Sequence, residues 1–263
     1  FLMAGEIYEF SLHHFEVLNL EADAQYLMDP TTDLSGTTIS ATQPIAVFGG
    51  HEEAVVGGEC CAEHLEQQLF PVSTWGDHYF AVPAESRGGS EDVWRILASE
   101  DNTQINTLPP QPDGNDSFVL NRGQYRDITT SAAFEVVGSA PIALGQYLAS
   151  QGATADFIGD PAFILAVPLS QLRESYTVLT PADYTEDWLT VVRPIAEPIT
   201  LDGQLVSDTA FRSFGIGGYE YAWISVEDGA HTVEAAVPFA LIAYGYSQAV
   251  SYGYPGGMNL RRR

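Results

Sequence analysis

Along most of the chain apolar and polar residues alternate with a period of two. Tyr79-Phe80-Ala81-Val82, Val93-Trp94-Arg95-Ile96-Leu97-Ala98, Tyr176-Thr177-Val178-Leu179 and Trp188-Leu189-Thr190-Val191-Val192 are short runs rich in β-branched and aromatic residues. Runs of this kind predict strands, because successive side chains point to opposite faces and branched or flat side chains pack well on a pleated surface. Turn formers recur between them: Asp113-Gly114-Asn115-Asp116, Asn121-Arg122-Gly123, Asp202-Gly203 and Glu227-Asp228-Gly229. The pattern is that of many short antiparallel strands. Residues 61–69 depart from it. Leu65 and Leu69 stand four apart with Glu63 and Glu66 turned outward, and Pro71 follows, which predicts one short helix of about two to three turns. No strand leads through a glycine-rich turn into a helix, so dinucleotide-binding and P-loop folds are excluded.

The strand pattern repeats. Gln43-Pro44-Ile45-Ala46-Val47-Phe48-Gly49, Ala140-Pro141-Ile142-Ala143-Leu144-Gly145-Gln146-Tyr147 and Val237-Pro238-Phe239-Ala240-Leu241-Ile242-Ala243-Tyr244 read as one motif, with prolines 97 residues apart. Pro71-Val72-Ser73 with Tyr79 and Pro168-Leu169-Ser170 with Tyr176 carry the same 97-residue spacing. Each marker follows a similar prelude, at residues 37–41, 134–139 and 231–235, so each unit reads as strand, small-residue turn, proline, strand. The prolines are expected at strand starts, where a missing donor is tolerated. The first copy lacks the long segment that precedes its marker, so independent domains are not expected. The expectation is one all-β domain over residues 1–263, built of antiparallel β-units packed as one pseudo-symmetric body. The repeated runs themselves read as buried strands and inform architecture, not chemistry.

Composition narrows the partners. The 263 residues include 35 acidic and 10 basic ones, for a net charge of −25, and every basic group is Arg, with no Lys at all. Phosphate backbones and anionic lipid surfaces would repel such a chain, which argues against nucleic acid and membrane surfaces. Cations, neutral glycans and basic protein patches remain, and the surface suits high salt. Cys60 and Cys61 are adjacent, so no long loop can be closed by an intrachain bridge. A vicinal ring and two reduced thiols both remain open. No apolar run approaches the roughly 20 residues of a membrane helix. The start at Phe1 and the end in Arg261-Arg262-Arg263 point to a mature or excised piece of a longer precursor.

Several blocks carry a resemblance to a known family. They are Pro44-Ile45-Ala46-Val47-Phe48-Gly49-Gly50-His51, His64-Leu65-Glu66-Gln67-Gln68-Leu69-Phe70-Pro71-Val72-Ser73-Thr74-Trp75-Gly76, Trp94-Arg95-Ile96-Leu97-Ala98-Ser99-Glu100-Asp101-Asn102-Thr103 and Tyr252-Gly253-Tyr254-Pro255-Gly256-Gly257-Met258. Together they resemble the N-terminal domain family of the IgGFc-binding protein over roughly residues 37–258. The resemblance implies an extracellular, non-enzymatic module linked to mucus, surface or host-protein binding, with no catalytic residues to carry over. Family members often pair the cysteine before the His-Leu-Glu-Gln stretch with one shortly after the Gly-His. This chain has Glu52-Glu53 there, so that staple is missing.

Candidate chemistry is sparse. Asp113, Asn115 and Asp116 set oxygen ligands around Gly114, the kind of turn a calcium ion favours, although the twelve-residue loop with a terminal bidentate Glu is absent and a solvated turn competes. Calcium is the one cofactor the sequence points to. His51, Glu53, Glu63 and His64 could converge on zinc, against the plainer reading of a histidine hydrogen-bonded to backbone. There is no His-Glu-x-x-His and no Gly-x-Ser-x-Gly, and among 35 acids a carboxylate pair carries no information. Tyr219, Tyr221, Trp223, Tyr244, Tyr246, Tyr252 and Tyr254 crowd the last quarter. Most should pack inside, which leaves Tyr252 and Tyr254, in a Gly/Pro-rich tail, as the ligand-binding candidates. The resulting expectation is a secreted or cell-surface adhesion, binding or structural module rather than an enzyme. It would recognise glycan, mucin or protein ligands, without membrane insertion, and could self-assemble or be attached to a longer chain. The alternatives are a β-rich polysaccharide hydrolase and a subunit of an extracellular filament or surface layer.

Overall fold

A computed structural model describes residues 2–3, 5–22, 33–57 and 60–261. They divide into a short unit, Phe1–Leu34, and a large one, Ser35–Arg263. The described part of the short unit contains no strand or helix and has a turn at His14-Phe15, closed by a hydrogen bond from Glu16 N to His13 O at 3.0 Å.

The large unit is all-β, as the alternation predicts. Its strands are β1 (Phe48–Ala54), β2 (Glu63–Gln68), β3 (Gly76–Ala81), β4 (Asp92–Ala98), β5 (Thr103–Leu108), β6 (Ser117–Leu120), β7 (Tyr125–Thr130), β8 (Phe134–Tyr147) and β9 (Phe163–Leu165). They continue with β10 (Arg173–Thr180), β11 (Glu186–Pro194), β12 (Thr200–Leu201), β13 (Gln204–Leu205), β14 (Arg212–Phe214), β15 (Tyr219–Val226), β16 (Gly229–Ser247) and β17 (Val250–Pro255). All pairings are antiparallel: a β1–β2 ribbon, a sheet of β3 to β9 and a sheet of β10 to β17.

Each sheet is organised around one long strand. The first half of β8 lies between β3 and β5 and its second half between β4 and β9, with β6 beyond β5 and β7 beyond β4. In the other sheet β16 lies first between β10 and β12 and then between β11 and β17. The 97-residue spacing is reproduced in the register, since Gly76↔Ile142 and Tyr79↔Val136 become Arg173↔Phe239 and Tyr176↔Val233. Even the corner bonds recur: Tyr79 Oη donates to Ile142 O at 2.6 Å, and Tyr176 Oη to Phe239 O at 2.7 Å.

Two expectations need correction. Residues 63–68 form strand β2, and the described residues contain 3-10 turns but no α-helix. A spacing of four between Leu65 and Leu69 satisfies a helix and, being a multiple of two, a strand face equally well. Pairing with β1, which buries Leu65, decided between them. Pro141 and Pro238 sit inside β8 and β16 rather than at strand starts. The register with β3 and β10 shifts across residues 138–141 and 235–238, so each proline falls where the ladder changes partner and no donor is required. Cys60 and Cys61 are joined as a vicinal disulfide.

Each sheet curls around its own core. Trp94, Ile96, Ile105, Phe134, Ile142 and Leu144 fill the first, and Tyr176, Leu189, Val191, Val233, Phe239 and Leu241 the second. Burying each such side chain contributes about 1.5–3 kcal/mol. Two further clusters mix residues of both sheets, Leu148 and Ile164 with Tyr244 and Tyr246, and Phe80 and Val82 with Leu172, Val192 and Phe214. Polar ties cross the same seam: Trp223 Nε1 donates to Pro83 O at 2.8 Å, and Tyr244 Oη accepts from Glu85 N at 2.9 Å.

Candidate functional site

The tyrosines of β17 lie at one end of the second sheet. Tyr252 and Tyr254 are two residues apart, so their rings share a face, 6.1 Å between centroids. Tyr184, in the β10–β11 loop, meets the Tyr252 ring edge-on at 4.6 Å. The three form a half-buried aromatic ledge rather than a freely exposed pair, because both β17 hydroxyls are tied down. Tyr252 Oη donates to Asp187 Oδ1, while Tyr254 Oη donates to Leu179 O and accepts from Leu179 N at 2.8 Å. Burial raises the pKa of all three tyrosines, and the Asp187 charge adds to it, so the phenols stay protonated, with the Tyr252 and Tyr254 hydroxyl hydrogens already given to Asp187 and Leu179.

Acids surround this ledge. Asp187 is buried at the start of β11, and burial raises its pKa; the Asp228 carboxyl within hydrogen-bond reach raises it further, against the Tyr252 hydroxyl. Asp183, Glu186 and Asp187 stand on the β10–β11 side and Glu227 and Asp228 in the β15–β16 turn. His231 closes the far side, its Nδ1 2.8 Å from Asp202 Oδ2 and its Nε2 2.7 Å from Glu227 O. Burial opposes its charged form, but these partners outweigh burial and raise its pKa, and the His231 bond in turn lowers that of Asp202. The surface thus combines aromatic faces with acceptors, which suits sugar hydroxyls or basic side chains.

Asp187 and its neighbours escaped the sequence reading, yet a signal existed. Glu91-Asp92-Val93-Trp94 and Glu186-Asp187-Trp188-Leu189 begin β4 and β11 alike. Both aspartates are buried. Asp92 Oδ2 accepts from Ala84 N at 2.8 Å and from Gln146 Nε2 at 2.6 Å, and burial pushes its pKa up to about 6. The repeat therefore places an acid at this corner twice, once closing a loop and once holding Tyr252.

The other candidates stand apart from the ledge. Asp113, Asn115 and Asp116 form the β5–β6 turn, with Asp113 at φ 61°. The turn's carbonyls are already engaged: Gly114 O accepts from Arg126 Nη1, Asn115 O from Thr107 Oγ1 and Asp116 O from Thr107 N. Among the described residues no group of three or more His, Cys, Asp or Glu is placed to hold a metal ion. The structure does not bring together His51, Glu53, Glu63 and His64. His51 pairs across the ribbon with Leu65, so the adjacent His64 faces the other side, and His51 Nδ1 accepts from Glu53 N at 3.0 Å. Tyr244 and Tyr246 are core residues. No helix among the described residues is long and apolar enough to cross a membrane.

A family model described as IgGFc binding protein matches residues 2–245. The human protein named IgGFc-binding protein is 26% identical over 259 residues, which is 96% of this chain but 4% of the human protein's length. No solved structure matches.

Proposed function

Because the chain belongs to the IgGFc-binding protein family, we propose that it is an extracellular adhesion module that holds a glycan, mucin or protein ligand on the tyrosine ledge of β17. The observation that carries this reading is the ledge itself: Tyr184, Tyr252 and Tyr254 present preset aromatic faces, and Asp187 fixes the middle ring so that little side-chain entropy is lost on contact. The surrounding acids favour a ligand rich in hydroxyl donors or in Arg and Lys, and disfavour polyanions. A hydrolytic role draws less support, because Asp187 is held against Tyr252 rather than aimed into a cleft. Calcium, if it takes part, would act at the Asp113–Asp116 turn and not at the ledge.

The test is an array of glycans, mucins and immunoglobulins probed with the purified chain in calcium and then in chelator. Saturable binding to one ligand class, weakened on the order of tenfold by Tyr184→Ala without a change in folding, is the expected result. Chelator sensitivity would direct attention to the β5–β6 turn. A blank array, or binding indifferent to Tyr184→Ala, would overturn the assignment and favour a filament or surface-layer subunit.

A further inference from the structure

The β1–β2 ribbon is a third, incomplete copy of the repeat. Its register is Phe48↔Gln68, Gly49↔Gln67 and Gly50↔Glu66, while β8 and β9 pair as Gly145↔Leu165, Gln146↔Ile164 and Tyr147↔Phe163. Every partner is displaced by 97 residues, the same interval that separates Pro44 from Pro141. β1 is therefore the counterpart of the second half of β8 and of β16, and β2 the counterpart of β9; β17 takes the place of β9 beside β16 by position, opposite β11, and not by that interval.

In the two complete copies that half-strand is paired on both sides. β9 or β17 covers one side, and β4 or β11 the other, with Val93↔Tyr147 and Arg95↔Gly145 in the first sheet and Trp188↔Tyr244 and Thr190↔Ile242 in the second. Among the described residues β1 pairs with β2 alone, so its second edge is open. Side-chain burial reports the same vacancy independently. Ile142 and Phe239, at the position after the marker proline, are 0% and 1% exposed, whereas Ile45 in the first copy is 52% exposed and Phe48 58%. A motif that faces a core twice lies bare in its third occurrence.

We propose that the open edge of β1 is a docking site for a strand of the β4/β11 type, carried by a further repeat of the same kind. The occupant's chemistry is set by the two strands that fill the equivalent edges, Asp92-Val93-Trp94-Arg95-Ile96-Leu97-Ala98 and Asp187-Trp188-Leu189-Thr190-Val191-Val192: an acid at the start, then alternating residues with one apolar face. Transferring the β4 register to β1 sets the residue equivalent to Val93 opposite Gly50, that equivalent to Arg95 opposite Phe48, and that equivalent to Ala98 opposite Ile45. The incoming strand supplies ladder hydrogen bonds to an edge that otherwise attracts nonspecific pairing, and covers Ile45.

A labelled synthetic peptide with the sequence of residues 91–99, titrated into the purified chain, tests this. Saturable binding is expected, with amide exchange in Phe48–Ala54 slowed on the order of tenfold, and binding at least about tenfold weaker in the double variant Ile45→Lys, Val47→Lys. Because Ile45 is exposed and Val47 only half-buried, the variant should keep its circular dichroism and thermal midpoint; Phe48→Glu is the second variant should it not fold. Equal binding of a scrambled peptide, or unchanged exchange in β1, overturns the proposal. So does concentration-dependent self-association that Ile45→Lys abolishes while the peptide fails to bind, since the occupant is then a second copy of this chain.

Discussion

Asp92 shows how much one buried group can carry. Its carboxyl closes the Ala84 loop against Gln146, at a site where burial outweighs both hydrogen bonds and lifts its pKa to about 6. With a folded pKa above the unfolded value near 4, the native state holds the proton more tightly. The group costs nothing below about pH 4, lowers stability progressively as pH rises to about 6, and carries a constant cost of roughly 3 kcal/mol above that. Asn at this position keeps an acceptor for Ala84 N, and Gln146 Oε1, which has no hydrogen-bond partner among the described residues, can accept from the new amide. Asp92→Asn should therefore raise the urea midpoint at pH 8, by about 1–3 kcal/mol in stability, and leave it nearly unchanged at pH 4. A loss of stability at pH 8 would mean that the charge itself is needed.

The repeated corner lends itself to a paired experiment at the scale of strands. Tyr79 and Tyr176 each bridge a short strand to the bend of the long one, accepting from Gly76 N or Arg173 N and donating to the residue after the marker proline. Tyr79→Phe and Tyr176→Phe should each cost about 1–2 kcal/mol by denaturant unfolding, with no change in sheet content. One costly and one neutral substitution would break the equivalence. At this scale the chain was readable where a signal had only one solution. Alternation at Val93–Ala98 admits a strand and nothing else, and the turn residues at 113–116, 121–123, 202–203 and 227–228 all fall between strands, with Gly229 opening the next one. Residues 63–68 were not readable, because both periods fit the leucine spacing. The long strands were also hidden, because a proline inside a strand reads as its beginning unless the change of partner at the bulge is known.

Across the whole molecule, the two complete repeats share buried clusters that neither owns. Phe80 packs with Val192 and Phe214, so Phe80→Ala should cost about 3–5 kcal/mol and lower the unfolding of both sheets together. Calorimetry should show one transition for residues 35–263, and two separable transitions would refute the shared core. The charge belongs to this scale too. A net −25 without a lysine makes self-repulsion a property of the whole surface, and raising sodium chloride from about 0.05 to 0.5 M should raise the melting midpoint as the Debye length shrinks from about 14 to 4 Å.

Strand content, the 97-residue period and the acidic surface follow from the sequence by itself, because alternation, repetition and composition are local properties that no packing can rewrite. The tyrosine ledge was half legible: Tyr252 and Tyr254 stand out as aromatics in a glycine-rich tail, while Tyr184, Asp228 and His231 reach it from other strand ends and share no spacing with them. Only the tertiary structure decided which side of a ladder is filled. A strand edge has the same sequence whether it is paired or open, and its state depends on what a distant segment brings to it. That is why Pro44-Ile45-Ala46-Val47 and Pro141-Ile142-Ala143-Leu144 look alike in sequence, yet among the described residues the first leads into a strand paired on one side and the second into a strand paired on both.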